Sequence, residues 1–226
     1  MTIARILSYI FEVLNFKTLY FNFKYLPFTQ AIKLPFLISR RCRFRTIKGE
    51  VKLNGPIRPG MIIIGCGSVG IFDNKRSRSI WDVSGTVIFE GNAIIGHGCK
   101  ISVGGGGNLR IGNNFKVTAE SSIAVVESVT IGSDCLFSWE ILVMDTDWHP
   151  IINDENTIIN PPAAIVIGNH VWVGCRTTIL KGVHIADNNI IAAGSLITRS
   201  ITQTHAIIGG SNTLRPIKEN VSWRSK

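Results

Sequence analysis

From Ile167 onward an aliphatic residue returns every six positions, at Ile167, Val173, Ile179, Ile185, Ile191 and Ile197. A period of six matches neither an α-helix nor a simple array of hairpins. It suits a chain that makes a short strand, bends and repeats, so that three strands complete a triangular coil of 18 residues. Residues 18 apart, such as Ile167 and Ile185, Val173 and Ile191, or Ile179 and Ile197, would then stack in parallel at about 4.8 Å. The same beat occurs upstream at Val83, Phe89, Ile95 and Ile101, at Ile111, Val117 and Ile123, and at Ile131, Phe137 and Val143. A small residue follows many of these positions (Gly96, Gly112, Gly132, Gly168, Gly174, Ala186, Ala192), where the backbone has to turn. The residue four places on should also point inward: Cys99, Phe115, Cys135, Val171, Thr177, Val183 and Ser195. The fold class expected is therefore an all-β solenoid.

Two stretches interrupt the beat. Gly104-Gly105-Gly106-Gly107 resembles a phosphate loop only in its glycines, because no Gly-Lys-Ser/Thr follows, and it reads as a corner insertion. The second, spanning residues 144–164, is polar and irregular and carries Pro150, Pro161 and Pro162. A projecting loop on a rigid scaffold is where function concentrates. Residues 1–80 show no repeat and read as a partly helical N-terminal cap, residues 81–200 as the β-helix, and residues 201–226 as a short tail leaving it.

Net positive charge is concentrated in the head of the chain. Residues 1–48 hold nine Lys and Arg against the single acid Glu12, a net of +8 out of the chain's +9. Aromatic and aliphatic patches alternate with these cations, and charges break every span well short of the roughly 20 apolar residues that a membrane helix needs. Glu12 likewise breaks the run after Arg5, so a cleaved signal peptide is not expected. Residues 1–48 are read either as a surface resting on anionic lipid or polysaccharide, making a peripheral membrane contact, or as an ordinary cap over the first coil. No recognition motif accompanies the charge, so nucleic acid is not expected as a partner. Five cysteines (Cys42, Cys66, Cys99, Cys135, Cys175) form no Cys-x-x-Cys pair and no even framework, which fits a reducing cytoplasm.

The segments Ile167-Gly-Asn-His-Val-Trp-Val-Gly-Cys175, Gly182-Val-His-Ile-Ala-Asp187 and Ala192-Ala-Gly-Ser-Leu-Ile-Thr-Arg199 resemble the final coils of hexapeptide-repeat acyltransferases. Asp145-Thr-Asp-Trp-His-Pro150 is similar to the His-bearing loop of the branch that O-acetylates capsular or lipopolysaccharide sugars, and Arg76-Ser-Arg-Ser-Ile-Trp81 also looks like that branch. The resemblance implies a left-handed parallel β-helix, acetyl-CoA as cosubstrate, no metal, and a homotrimer with sites between subunits.

His149 is the candidate general base, since the acceptor hydroxyl must lose its proton as it attacks a thioester and an unperturbed imidazole titrates at about 6.5. Asp145, Asp147 or Asp134 could fix its tautomer. Trp148 is a candidate acceptor contact, by stacking on a sugar face, or a pin for the loop. His97, His170, His184 and His205 read as corner, outward-facing or tail residues. By resemblance, Trp172, Gly174 and Cys175 border the coenzyme A slot, Ala192 and Ala193 offer backbone amides to the pantetheine, and Thr198 and Arg199 reach the nucleotide. Arg215 and Lys218 fall in a segment similar to the family's ending, with one residue more and a proline fewer.

The leading expectation is acetyl-CoA-dependent O-acetylation of a sugar hydroxyl in a bacterial surface polysaccharide or its precursor, in the cytoplasm at the inner face of the membrane. The rivals are acetylation of a small hydroxyl or amino acceptor (serine, an amino sugar, an antibiotic) and a non-catalytic β-helical assembly protein.

Overall fold

The computed structural model describes residues 10–209 and the backbone of residues 215–219. Within them the chain winds as a left-handed parallel β-helix with three flat faces, formed by sheets of nine, seven and six strands. Within these sheets every strand pairing is parallel except the last, where Arg215–Glu219 runs antiparallel to Ala206–Gly209. The expected stacks are present: Ile167 pairs with Ile185, Val173 with Ile191 and Ile179 with Ile197. All the six-residue positions and their companions four places on are buried, from Val83 and Cys99 to Val183 and Ser195.

The repeat reaches further than its sequence signal. Phe36–Ile38, Arg43–Ile47 and Glu50–Leu53 already form a coil, which pairs in parallel with Ile62–Cys66, Ile80–Val83 and Thr86–Phe89 of the next. The cap boundary at residue 80 is thus corrected to the residues before Phe36. The beat was hidden because residues 67–79 are inserted between the first and second faces of the second coil. At the other end Ile201 and Ala206–Gly209 add further rungs, beside Ile185 and Ile190–Ile191, so the expected tail from residue 201 begins inside the prism.

The open end of a solenoid presents a strand edge and a hydrophobic lumen, both of which invite unwanted pairing. One helix, α1 (Phe16–Tyr25), closes both. Its start is capped by Asn15, whose side-chain oxygen accepts from Lys17 N at 2.8 Å. Thr18 Oγ1 accepts from Ile38 N (2.9 Å), Asn22 Oδ1 accepts from Phe36 N (3.1 Å), and Asn22 Nδ2 donates to Phe36 O (2.9 Å). Side chains thereby supply the hydrogen bonds that a further strand would have made. Phe21 plugs the lumen, its ring 4.9 Å from Phe36 and 5.1 Å from Trp81.

The glycines after the six-residue positions do more than turn the chain. A Cβ on Gly132 would lie 2.5 Å from Gly168 O, and one on Gly96 would lie 1.8 Å from Thr118 O. At these corners successive coils stack backbone on backbone, leaving no room for a side chain.

Candidate active site

Residues 145–164 leave the prism at the edge between its second and third faces, after Leu142–Met144 and before Ile165–Ile167. They form an arm closed on itself: Ile152 and Ile158 bridge antiparallel, and Asn153 N donates to Thr157 O at 3.0 Å. The neck is tied at Asp145. Its carboxylate is inaccessible to solvent and accepts from Val126 N (2.8 Å) and Glu127 N (2.9 Å), while its carbonyl accepts from Ala163 N (3.0 Å). Both oxygens being committed to backbone amides of the coil beneath, Asp145 anchors the arm instead of orienting His149 as expected.

Asp147 stands one turn further out. Its Oδ2 accepts from Lys181 Nζ (2.5 Å) and Asn160 Nδ2 (2.9 Å), and these partners hold the carboxyl below the usual carboxylate range. Asn160 Nδ2 also donates to His149 O (2.9 Å), and Lys181 Nζ to Asn160 O (2.9 Å). Between Asp147 and His149 the chain reverses through Trp148, whose φ of 63° is left-handed, a sparsely populated conformation for a bulky residue. His149 N closes that reversal on Asp147 O at 2.7 Å.

A groove of about 400 Å³ results, lined by Val126, Trp148, His149, Pro150, Ile158 and Pro161 among others. His149 is exposed in it, and no carboxylate among the described residues hydrogen-bonds its imidazole. Asp134 stands on a different edge, between Ser128–Ile131 and Leu136–Trp139, where its Oδ1 accepts from Asn114 Nδ2. Lys181 and Asn160 escaped the sequence reading. Their signal is register: Met144 pairs with Leu180, so Lys181 must sit directly above the root of the arm.

The residues expected along the coenzyme slot divide between two edges. Trp172 lies on the first face, partly exposed, with Nε1 donating to Ser138 Oγ at 3.3 Å. Gly174, Cys175, Ala192 and Ala193 follow at the edge between the first and second faces. There a Cβ on Gly174 would come within 2.5 Å of Ala193 N. The Ala192 amide donates to Ile208 O (2.8 Å), within the ladder, so it is not free for a ligand as expected; Ala193 is exposed. Cys175 is half-buried, whereas burial pushes the thiols of Cys42, Cys66, Cys99 and Cys135 up to about 12. Thr198 and Arg199 are exposed at the edge that carries the arm. Arg215 and Lys218 lie on the returning strand, and their side chains fall outside the described residues.

Of the other histidines, His184 faces outward as expected, and His170 sits at a corner with φ 55° and Nδ1 3.2 Å from Asn188 Oδ1. His97 stands at its expected corner, between Ala93–His97 and Lys100–Val103, but it is buried there, neither ring nitrogen has a hydrogen-bond partner, and burial lowers its pKa. Among the described residues no group of three or more His, Cys, Asp or Glu is placed to hold a metal ion.

Residues 164–199 match the family model described as bacterial transferase hexapeptide (six repeats). Over these residues the chain carries the hexapeptide repeat that the model describes. This hexapeptide chain is 35% identical over 99 residues to the galactoside O-acetyltransferase of Escherichia coli K12, covering 42% of the chain and 47% of that protein. It is 30% identical over 135 residues to the polysialic acid O-acetyltransferase of Escherichia coli O1:K1, covering 59% and 41%. The match therefore spans less than half the length of either relative. In fold, the hexapeptide chain is similar to the crystal structure of the polySia-specific acetyltransferase NeuO, with a TM-score of 0.52 at 23% identity, over 85% of this chain and 79% of that one.

Proposed function

We propose that the protein is an acetyl-CoA-dependent O-acetyltransferase acting on a sugar hydroxyl of a bacterial surface polysaccharide or its precursor, with His149 as general base. The carrying observation is the arm at the edge between the second and third faces, which presents His149 in a groove walled by Trp148, Pro150 and Pro161. The similarity to sugar and polysialic acid O-acetyltransferases supports the acceptor class.

In this reading the His149 imidazole takes the proton of the acceptor hydroxyl as its oxygen attacks the thioester carbonyl. The C–S bond then breaks, and the proton returns from the imidazolium to the departing thiolate, so transfer is direct. Asp147 has no side-chain bond to the imidazole. Its tie to Lys181 and Asn160 holds the turn on which His149 stands. Trp172 would wall the pantetheine and the exposed Ala193 amide would donate to it, while Thr198 and Arg199 would meet the nucleotide end. The tight approach at Gly174 is to the backbone of the next coil, the same stacking as at Gly132 and Gly96, and leaves the flank of this edge to Trp172 and Ala193.

Trp172 and Ala193 border the edge between the first and second faces, whereas His149 projects from the next edge round. One subunit does not bring them to a single acetyl group. A homotrimer, in which the arm of one subunit meets the slot of its neighbour, does. The four isoleucines of the arm, Ile151, Ile152, Ile158 and Ile159, are each more than half exposed and would be covered by that neighbour.

The test is release of coenzyme A thiol from acetyl-CoA with a panel of de-O-acetylated bacterial glycans, for wild type and His149→Ala. Acceptor-dependent release that collapses in the variant while coenzyme binding persists is the expected result. Turnover of serine or amino sugars but of no glycan would replace the acceptor class, and absence of both release and coenzyme binding would leave a scaffold protein.

A further inference from the structure

The capping end of the prism carries a second concavity, remote from the arm. It has two chambers of about 740 and 430 Å³ that share Arg40, Arg41 and Lys75. Lys17, Arg43 and Arg78 complete the outer chamber, so six cations face one cleft. The inner chamber holds a single acid, Glu12, already bridging Arg40 (3.0 Å) and Arg41 (3.1 Å). Arg43, Lys75 and Arg78 are exposed and have no carboxylate partner among the described residues. Cations brought together without counter-charge repel one another, and that cost is relieved only by an anion. The inner chamber is also lined by His97, buried with both ring nitrogens unpartnered. Two of the six cations, Lys75 and Arg78, come from the insertion 67–79 and the other four from the first coil and its cap, so the cleft is built by the fold and not by one run of basic sequence.

Beside the cleft is an apolar surface that the prism does not cover. Helix α1 buries Phe21 in the lumen, yet its opposite side presents Phe16, Leu19, Tyr20 and Phe23 to solvent. Phe11, Leu14, Phe28 and Ile32 are exposed on the same cap. So many large apolar side chains exposed on one surface call for a second apolar phase over them. The two features join: the Arg40 guanidinium lies 5.3 Å from the centre of the Phe11 ring, and Tyr20 meets Phe44 of the outer chamber at 6.3 Å. No helix among the described residues is long and apolar enough to cross a membrane.

We propose that this end of the prism docks on an anionic phospholipid surface, with a lipid phosphate seated among Arg43, Lys75 and Arg78 and the aromatic side of α1 entering the headgroup layer. Arg43 sits four coils below Leu142–Met144 on the same face, about 19 Å along the prism at about 4.8 Å per coil. Docking here leaves the arm groove standing off the lipid, at the height of a headgroup-linked glycan. The docking does not depend on the transferase reading.

The experiment is co-sedimentation of the full chain with vesicles of phosphatidylcholine alone or with 30 mol% phosphatidylglycerol (about a third of the lipid, enough for a clear surface potential). Wild type should bind only the anionic vesicles, and high salt should weaken that binding. The variant Arg43→Ala/Lys75→Ala/Arg78→Ala touches no ion pair and should lose about a hundredfold in partitioning. The variant Phe16→Ser/Phe23→Ser should weaken binding at both low and high salt. Thiol release with a soluble acceptor should be the same in the triple variant as in wild type. Failure of wild type to bind anionic vesicles, or a triple variant within about threefold of it, overturns the proposal. So does a wild type that ignores vesicles but is stabilised by inorganic diphosphate or a soluble anionic glycan, since the cleft then serves a soluble anion.

Discussion

Lys181 Nζ lies 2.5 Å from Asp147 Oδ2, joining the turn that carries His149 to the coil above it. The pair is partly exposed, so its worth to global stability is small. Its worth to geometry is larger, because Lys181 also holds Asn160, which in turn holds the His149 carbonyl. Lys181→Met should leave the melting temperature nearly unchanged while kcat falls, by up to about a hundredfold if His149 shifts by about 1 Å. The Asp147 carboxyl is held below its ordinary value, so the tie is fully present above about pH 4 and is lost only as pH falls through that depressed value. A kcat equal to wild type in Lys181→Met would show that the turn stands without the tie.

Asp145 makes the opposite kind of contribution. It is inaccessible to solvent and both oxygens accept backbone amides, so removing it leaves the amides of Val126 and Glu127 without their acceptor. Asp145→Ala should cost about 2–3 kcal/mol in denaturant unfolding, and Asp145→Asn less, since one acceptor survives. An Asp145→Asn variant that is stable yet as inactive as His149→Ala would restore the catalytic role expected from sequence.

These two aspartates mark how far the sequence carries. The arm, its histidine and the period-six core were all legible, because buried rows and a polar interruption leave a one-dimensional trace. Which of two aspartates two residues apart turns inward at the neck is decided by the amides of Val126 and Glu127, 18 or 19 residues away, and leaves no such trace. The first coil and the start of the second show no beat for a related reason: Phe36 and its partner Ile62 are separated by more than 18 residues, and the insertion 67–79 then parts Ile62–Cys66 from Ile80–Val83. His97 looked like one more corner residue, and only the packing of the same insertion over it, with Phe72 at 6.1 Å, shows it as buried.

Glycine substitutions should separate the two meanings of glycine in this chain. Gly132→Ala would place a methyl 2.5 Å from Gly168 O in a stack that has no slack, and should cost about 3 kcal/mol or more. A Cβ on Gly105, in the tetraglycine, meets nothing within 4 Å, so Gly105→Ala should stay within about 0.5 kcal/mol of wild type. Chemical denaturation of both variants checks the contrast, and equal stabilities would contradict the backbone stacking.

Thiol labelling should report on the proposed coenzyme slot. Four cysteines are buried with thiols pushed up to about 12, which leaves almost no thiolate at neutral pH. Cys175 alone is half-exposed, beside Gly174 at the slot. A disulfide reagent at pH 8 should titrate one thiol in the native protein and five after denaturation. Acetyl-CoA should slow the native reaction, and Cys175→Ser should abolish it. Labelling of Cys175 that ignores saturating acetyl-CoA would move the coenzyme away from this edge.

His97 should make the protein sensitive to mild acid. Its imidazole is buried with no hydrogen-bond partner, and burial lowers its pKa in the folded state, with Glu120 opposing that shift only in part. Between the lowered folded value and the unfolded value of about 6.5, the unfolded chain binds the extra proton. Stability therefore rises with pH across that interval and is lost as pH falls below about 6.5. Glu120 acts in the same interval without titrating there, because hydrogen bonds from Ser77 and Lys100 outweigh its burial and keep its own pKa below the ordinary glutamate value. The melting temperature of wild type should decline between pH 7 and pH 5 more steeply than that of His97→Leu, whose side chain has nothing to protonate. At pH 7 the leucine variant should be at least as stable as wild type, since it removes two polar atoms that have no partner. Parallel melting curves across that range would mean that His97 is protonated as easily in the folded chain as in the unfolded one.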